Sequence, residues 1–236
     1  MHPGPPADGR AGYSSGRMAT TRSPDLERLL EKLARLRKLD PEQELFGASA
    51  HEYALALPVD EADLAAAEAA WGATLPDDYR EFVTLAGGGG AGPGHGLFPL
   101  AKGQNGLEWD GDGASLTTDL TQPFPHTSAW NMEDHPIWRS QPDPDDQDAY
   151  DAWDEEFQAL YWNAKWTVGA VCICHIGCAL RYWLVVNGPE RGHVWYDGTA
   201  DRTGLEPCSD ANGNRLTFTG WYEDWLDASL KKVGAG

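Results

Sequence analysis

The chain has 236 residues, of which 18 are basic and 37 acidic, so its formal net charge is −19. This charge repels phosphate backbones and anionic headgroups, so direct binding to nucleic acid or to a membrane surface is not expected. No apolar run approaches the ~18 residues that a spanning helix needs, whereas 41% hydrophobic residues and 11 Trp can form a core. The composition predicts a soluble globular protein with basic partners.

The first residues of the chain do not have the composition of a targeting segment. Residues 1–17 contain Pro, Gly, Ser and Arg but not the apolar segment of a secretory signal. We therefore expect residues 1–22 to be a disordered leader and the protein to be cytoplasmic. In a reducing cytoplasm its four cysteines are expected to be free thiols.

Charge is distributed unevenly along the chain. Residues 1–40 contain eight basic and five acidic side chains, whereas residues 41–236 contain ten basic and 32 acidic ones. The second part therefore has a net charge of −22, more acidic than the total indicates. Eight of its carboxylates fall in residues 143–156, and no Lys or Arg occurs between Arg139 and Lys165.

The first predicted helix begins at Ser23-Pro24, where Ser suits the cap and Pro the first turn. It ends near Asp40-Pro41, and its leucines recur at helical spacing. These leucines are Leu26, Leu29, Leu30, Leu33 and Leu36. Such a stripe fits a helix that binds a partner or one that packs on its own domain. We assign residues 23–59 to an N-terminal helical arm.

Two more helices are predicted before the strand-forming part of the chain. One begins at Asp60 and ends at Gly72, and the next begins after Pro76 and ends at the glycines of residues 87–90. In a phosphate-binding loop the glycines precede the helix and a Lys-Ser/Thr pair follows them. The order here is reversed, so nucleotide binding is not expected.

Strand patterns follow the glycine run. Residues 96–100 predict a short strand, at a sheet edge because Pro99 has no N–H to donate. Residues 167–175 and 179–186 are rich in β-forming residues around a Gly-Cys turn and predict a hairpin. Residues 193–196 predict a further strand that ends at Asp-Gly.

The last element is a helix over residues 218–230 with an aromatic buried face. Helices followed by sequential hairpins and a closing helix are typical of α+β proteins. The sequence therefore predicts an α+β fold with N-terminal helices, a mainly antiparallel sheet and a closing C-terminal helix. Its domain is expected to span residues 60–236.

Several separated segments of the chain match one known pattern. They are WGATLPDDYREF at 71–82 with the glycine run after it, GLFPL at 96–100, PFP at 123–125, VVNGPERGHVWYD at 185–197 and FTGWYEDWL at 218–226. Together they resemble the SUKH superfamily, which includes a yeast cell-wall-synthesis regulator and many bacterial immunity proteins. The resemblance extends from about residue 60 to residue 230.

The resemblance implies a role as an antidote that binds and blocks a toxin made by the same or a neighbouring cell. Motif residues such as Pro76, Tyr79 and Trp221 serve folding and supply no nucleophile or base, so no enzyme is expected. Specificity in this class lies in variable surface segments, so the family does not name the toxin. A general protein-interaction scaffold in regulation stays open as the alternative.

No catalytic or metal site is predicted from the chemistry-bearing residues. No hydrolase, metalloprotease, kinase or nucleotide-binding signature occurs. Cys172, Cys174 and Cys178 with His175 would suit zinc, but Cys172 and Cys174 are expected on one strand face and His175 on the other. Cys208 is distant in sequence. Buried small residues without a cofactor are the expectation, and zinc is the alternative.

The acidic run can bind a basic protein. Carboxylates pair with Arg or Lys, the interleaved aromatic residues can fill pockets, and complementary fields accelerate encounter. Since nuclease active sites are basic clefts, a nuclease-type toxin is a candidate partner. The alternative is a solvated acidic loop before a helix whose Trp153 and neighbouring aromatics pack inward.

Two other segments, residues 108–112 and 130–138, are also acidic and aromatic. Asp110-x-Asp112 resembles part of a calcium loop, but the other ligands are missing. The predicted partner-binding residues are Asp143, Asp145, Asp146, Asp148, Asp151, Trp153, Asp154, Glu155, Glu156, Trp130, Trp138, Trp109 and Asp110. No oligomeric state is predicted.

Overall fold

A computed structural model describes residues 21–104 and 106–234. The predicted leader lies outside these residues, except for its last two positions. The helices are α1 Pro24–Leu39, α2 Ala48–His51, α3 Glu61–Trp71, α4 Asp77–Leu85, α5 Pro136–Arg139, α6 Gln147–Tyr161 and α7 Phe218–Val233. The strands are β1 Leu100–Gly103, β2 Gly106–Trp109, β3 Ala170–His175, β4 Arg181–Val185, β5 Val194–Asp197 and β6 Leu205–Pro207.

Strands β3 to β6 form an antiparallel sheet in sequential order, and β1 and β2 form a separate hairpin. With the N-terminal helices and the closing helix α7, this confirms the predicted α+β fold. The segment at 96–100 differs from the prediction, because its regular strand begins only at Leu100. Before it, Leu97 bridges to Cys174 and the Phe98 N–H donates to the Ile173 carbonyl at 2.9 Å. Pro99 cannot donate to a continuous ladder.

Helix α1 starts as its sequence predicts. The Ser23 side chain accepts a hydrogen bond from the Leu26 N–H at 3.1 Å, and the Ser23 hydroxyl donates to Glu81 of α4 at 2.8 Å. Four of the five leucines of the predicted stripe are buried and pack within the same hydrophobic cluster as α7. They are Leu26, Leu29, Leu33 and Leu36. The stripe therefore packs on this chain's own core.

The glycine run passes close to the backbone at two places, one near Ala54 and one near Phe98. Gly90 has φ 104°, and a Cβ there would lie 2.4 Å from the Ala54 carbonyl oxygen. A Cβ on Gly89, at φ 152°, would lie 2.6 Å from the Phe98 carbonyl oxygen. Only glycine combines these backbone angles with such close approach, so the run serves packing.

The two faces of the sheet belong to different hydrophobic clusters. The face with Val171 and Leu184 packs with residues of α1, α3, α4 and α7, whereas the face with Trp183 and Trp195 packs with residues of loops, including Phe98 and Phe124. This places the sheet between a helical layer and a layer of loops.

A β-bulge in β3 separates two cysteines that were expected to share a face. The register shifts between Cys172 and Cys174, which face Trp183 and Tyr182 on β4. Cys172 packs in the loop-side cluster and Cys174 in the helix-side cluster. The prediction of one shared face is wrong, because the extra residue of a bulge breaks the alternation of a strand.

A third cluster lies beneath α6, beside the last strand of the sheet. Met132, Ile137, Phe157 and Tyr161 form its buried part. Trp130 joins it to the sheet, because its N–H and carbonyl each hydrogen-bond with Leu205 of β6 at 2.8 Å. Helix α6 is therefore held against the β6 edge by a small aromatic core of its own.

Candidate functional site

Helix α6 contains five of the eight carboxylates of the acidic run, the other three lie just before it, and its inner side is aromatic and buried. The Asp146 carboxylate caps it by accepting from the Ala149 N–H at 3.3 Å. Trp153, Phe157 and Tyr161 recur every four residues and stack in succession, with ring centroids 5.1 and 5.3 Å apart. Asp146 at the cap and Asp148 in the first turn complement the helix dipole, and this aromatic packing adds the burial that stabilises α6.

The carboxylates of the run remain in contact with solvent. Asp154 is half-buried, and the other seven acidic residues of the run are exposed. Among the ion pairs formed within residues 21–104 and 106–234, none includes a carboxylate of this run. Their negative charge is therefore available to an incoming cation.

Three of the predicted tryptophans pack against the hydrophobic cluster beneath α6. Trp153 is half-buried and donates its indole N–H to the Ile137 carbonyl at 2.9 Å. The Trp130 ring lies 4.4 Å from that of Trp166, and Trp138 contacts the Phe157 ring. These side chains pack inward, as the alternative interpretation of the acidic run expected for Trp153.

Trp109 and Asp110 lie elsewhere in the molecule. Trp109 stacks on Trp71 of α3 at 4.7 Å between ring centroids and donates its indole N–H to the Tyr79 hydroxyl at 3.1 Å. Asp110 is exposed just after β2. The structure therefore brings the 130–138 segment together with α6 but places these two residues beside α3 and α4.

Sequence reasoning missed Trp162, the residue that follows α6. Its side chain is 59% exposed, and its indole N–H donates to the Gln158 side-chain oxygen at 3.0 Å. A pocket of about 200 Å³ opens beside it. The sequence spacing indicates this exposure, because Trp162 lies outside the four-residue repeat of Trp153, Phe157 and Tyr161. It therefore cannot share their buried face.

The four cysteines differ in their burial. Cys172 and Cys174 are buried, Cys208 is half-buried, Cys178 is exposed, and all four are unpaired. Burial raises the pKa of Cys172 and of Cys208 to about 12, and that of Cys174 well above its ordinary value. Zinc binds the thiolate. In the part of the chain that the structure describes, no three His, Cys, Asp or Glu side chains converge as metal ligands.

The fold and the family comparison lead to the same class of protein. N-terminal helices, a four-stranded antiparallel sheet and a closing helix form an α+β domain of the kind the SUKH resemblance implies. The model of the SMI1 / KNR4 family (SUKH-1) matches residues 58–210, and the chain belongs to this family. The match includes α6 and Trp162.

The other comparisons add no relative. Neither the search of curated proteins nor the search of solved structures returned a match. Of the helices in residues 21–104 and 106–234, none has the length and apolar character to cross a membrane.

Proposed function

We propose that this chain is an immunity protein, a non-catalytic antidote that binds a cognate protein toxin and blocks it. Family membership supports the role, since the SUKH resemblance implies it for bacterial members. The observation that carries the proposal is the acidic run in and just before α6, whose eight carboxylates have no ion-pair partner among the described residues. A surface of this kind is suited to a basic protein.

The toxin is proposed to be basic, and a nuclease-type domain fits best. A nuclease active site attracts phosphates, so a row of carboxylates can occupy the place of the substrate. The antidote would act in the cytoplasm, where such a toxin meets nucleic acid. Binding through α6 needs no cofactor and no metal.

Rescue from toxicity tests the role directly. The full chain is expressed together with the product of each neighbouring gene, and growth is measured with and without it. Restored growth, with a complex that co-elutes in size-exclusion chromatography, is the expected result. If no neighbouring product is toxic, or none is neutralised, the immunity role is wrong.

A pair of charge reversals tests the surface. Glu155→Lys with Glu156→Lys changes two exposed carboxylates near the middle of α6, leaving the Asp146 cap intact. Because steering depends on complementary charge, we expect the association rate with the toxin to fall about tenfold at low salt. Stopped-flow fluorescence measures it.

The matched control reverses two exposed acidic residues outside α6. Glu42→Lys with Glu52→Lys makes the same change in net charge, so it reports the effect of overall charge alone. Equal rates for the two double variants would mean that the toxin is bound elsewhere. Binding of several unrelated partners that survives both changes would instead favour the regulatory scaffold.

A further inference from the structure

One side of α6 forms a continuous polar stripe that ends at Trp162. Its members are spaced three or four residues apart and so share one side of the helix; they are Asp151, Asp154, Glu155, Gln158 and Trp162. Hydrogen bonds join three of them, because Trp162 donates to Gln158 at 3.0 Å and Gln158 donates to Asp154 at 3.3 Å. The stripe is therefore ordered as well as acidic.

Trp162 is an exposed aromatic ring that is nevertheless held in place. Besides its bond to Gln158, its ring meets the Tyr161 ring edge-on at 4.9 Å between centroids. More than half of its surface stays in solvent, at 59% exposure. A large aromatic side chain that is already ordered loses little entropy on binding, which is the property of an interface anchor.

The pocket beside Trp162 has aromatic walls and a carboxylate. Trp138, Phe157 and Tyr161 line it together with Trp162, and the exposed Glu133 also contributes. Its volume of about 200 Å³ accommodates one large side chain. Arg202 lines it too, so the pocket contains one acidic and one basic residue of its own.

We propose that Trp162 and this pocket receive an arginine side chain of the partner protein. A guanidinium is planar and weakly hydrated, so it stacks on an indole better than a lysine ammonium does. Glu133 in the pocket wall, and Asp154, which is hydrogen-bonded to Gln158 of that wall, offset its charge. The inference rests on the proposed function for one premise, that the partner is a basic protein.

The test uses the ¹⁵N-labelled full chain and two short peptides of equal charge, acetyl-(Arg-Gly)₃-amide and acetyl-(Lys-Gly)₃-amide. The indole N–H signal of Trp162 is assigned by its loss in Trp162→Phe. We expect the arginine peptide to shift this signal and to bind about threefold or more tightly than the lysine peptide. Equal affinities, or an unmoved Trp162 signal at millimolar peptide, would overturn the proposal.

Removal of the positive charge of Arg202 tests whether the occupant of the pocket is a cation. Arg202 has φ 62°, and Asn tolerates this left-handed backbone, so Arg202→Asn removes the cation with little strain. An arginine occupant is then expected to bind about twofold more tightly, because a like charge has gone. Unchanged or weaker binding would mean that the arginine does not occupy the pocket beside Arg202, and the proposal would be wrong.

The outcomes separate this inference from the immunity role. Toxin rescue that is unaffected by Trp162→Leu, with no preference for the arginine peptide, overturns the arginine pocket alone. A failed rescue with a clear arginine preference at Trp162 overturns the immunity role and supports the pocket.

Discussion

Among the carboxylates in the described part of the chain, Glu223 of α7 has the pKa that departs most clearly from its ordinary value. It accepts from Arg28 at 2.6 and 3.0 Å and from Lys32 at 2.8 Å, so two cations of α1 converge on it. The two hydrogen bonds from Arg28, and then the one from Lys32, outweigh the effect of burial. They lower the pKa of Glu223 from 4.5 to about 2. These ion pairs therefore link the two helices electrostatically.

A pH dependence of stability follows from this shift. Since the folded pKa lies below the unfolded one, the stabilisation is present above about pH 4.5 and is lost as the pH falls toward 2. Glu223→Gln is expected to lower the free energy of unfolding by about 1 kcal/mol at pH 7. Urea denaturation between pH 2.5 and 7 measures the difference, which should shrink toward the acid end.

The control for this prediction is Glu31→Gln. Glu31 is exposed on α1 and takes part in no ion pair within the described residues. Its replacement should change stability little at any pH. A loss for Glu223→Gln that is independent of pH would show that the side chain acts by packing and not by charge.

At the scale of the element, substitutions in α1 test whether the N-terminal helix is part of the core. Leu29 is 2% exposed and lies in the cluster that α1 shares with α7, whereas Leu39, on the same helix, is 45% exposed. We expect Leu29→Ala to lower the free energy of unfolding by about 2–4 kcal/mol. Leu39→Ala should cost less than about 0.5 kcal/mol.

Denaturant midpoints and slopes measure both variants. A single transition that shifts only for Leu29→Ala would show that α1 unfolds together with the sheet. Equal and small effects would instead show that residues 23–59 behave as the separate N-terminal arm that the sequence predicts.

At the scale of the whole molecule, the excess negative charge predicts a salt effect on stability. The net charge of −19 includes the eight carboxylates of the acidic run, which form no ion pair within the described residues, and their mutual repulsion opposes the folded state. Raising NaCl from 20 to 500 mM screens this repulsion. We expect the melting temperature to rise by about 2 °C.

Calorimetry checks this expectation with the Glu155→Lys, Glu156→Lys variant beside the native chain. The variant has less repulsion to screen, so its melting temperature should rise less with salt. A melting temperature that falls with salt would mean that the ion pairs between α1 and α7 outweigh the repulsion.

Local signals predicted most of the fold. The Ser23 cap, Gly72 after α3 and the aromatic stripe of α7 each lie where the sequence predicts an end or a face. Such features depend on residues within one or two turns of each other, so neighbours along the chain suffice to determine them. The irregular pairing before Leu100 and the bulge in β3 depend on strands far apart in sequence, and no local pattern predicts them.

The candidate site was predictable only in part, for the same reason. Four of the five carboxylates of α6 are exposed and Asp154 is half-buried, because their charge excludes them from the core, and that follows from composition. Whether Trp153, Trp130 or Trp162 is buried depends on which element covers the ring. An aromatic side chain suits a core and an interface equally, so its type alone does not decide between them.

The sequence by itself therefore determined the family resemblance, the order of the elements and the acidic character of one segment, because each depends on residue types and their local spacing. Only the tertiary structure decided that the 130–138 segment joins α6 while Trp109 packs beside α3. It also decided that Cys172 and Cys174 lie in different clusters and that Trp162 stays exposed next to a pocket. These outcomes depend on contacts between distant parts of the chain, since burial is settled by what packs on a side chain and not by the side chain itself.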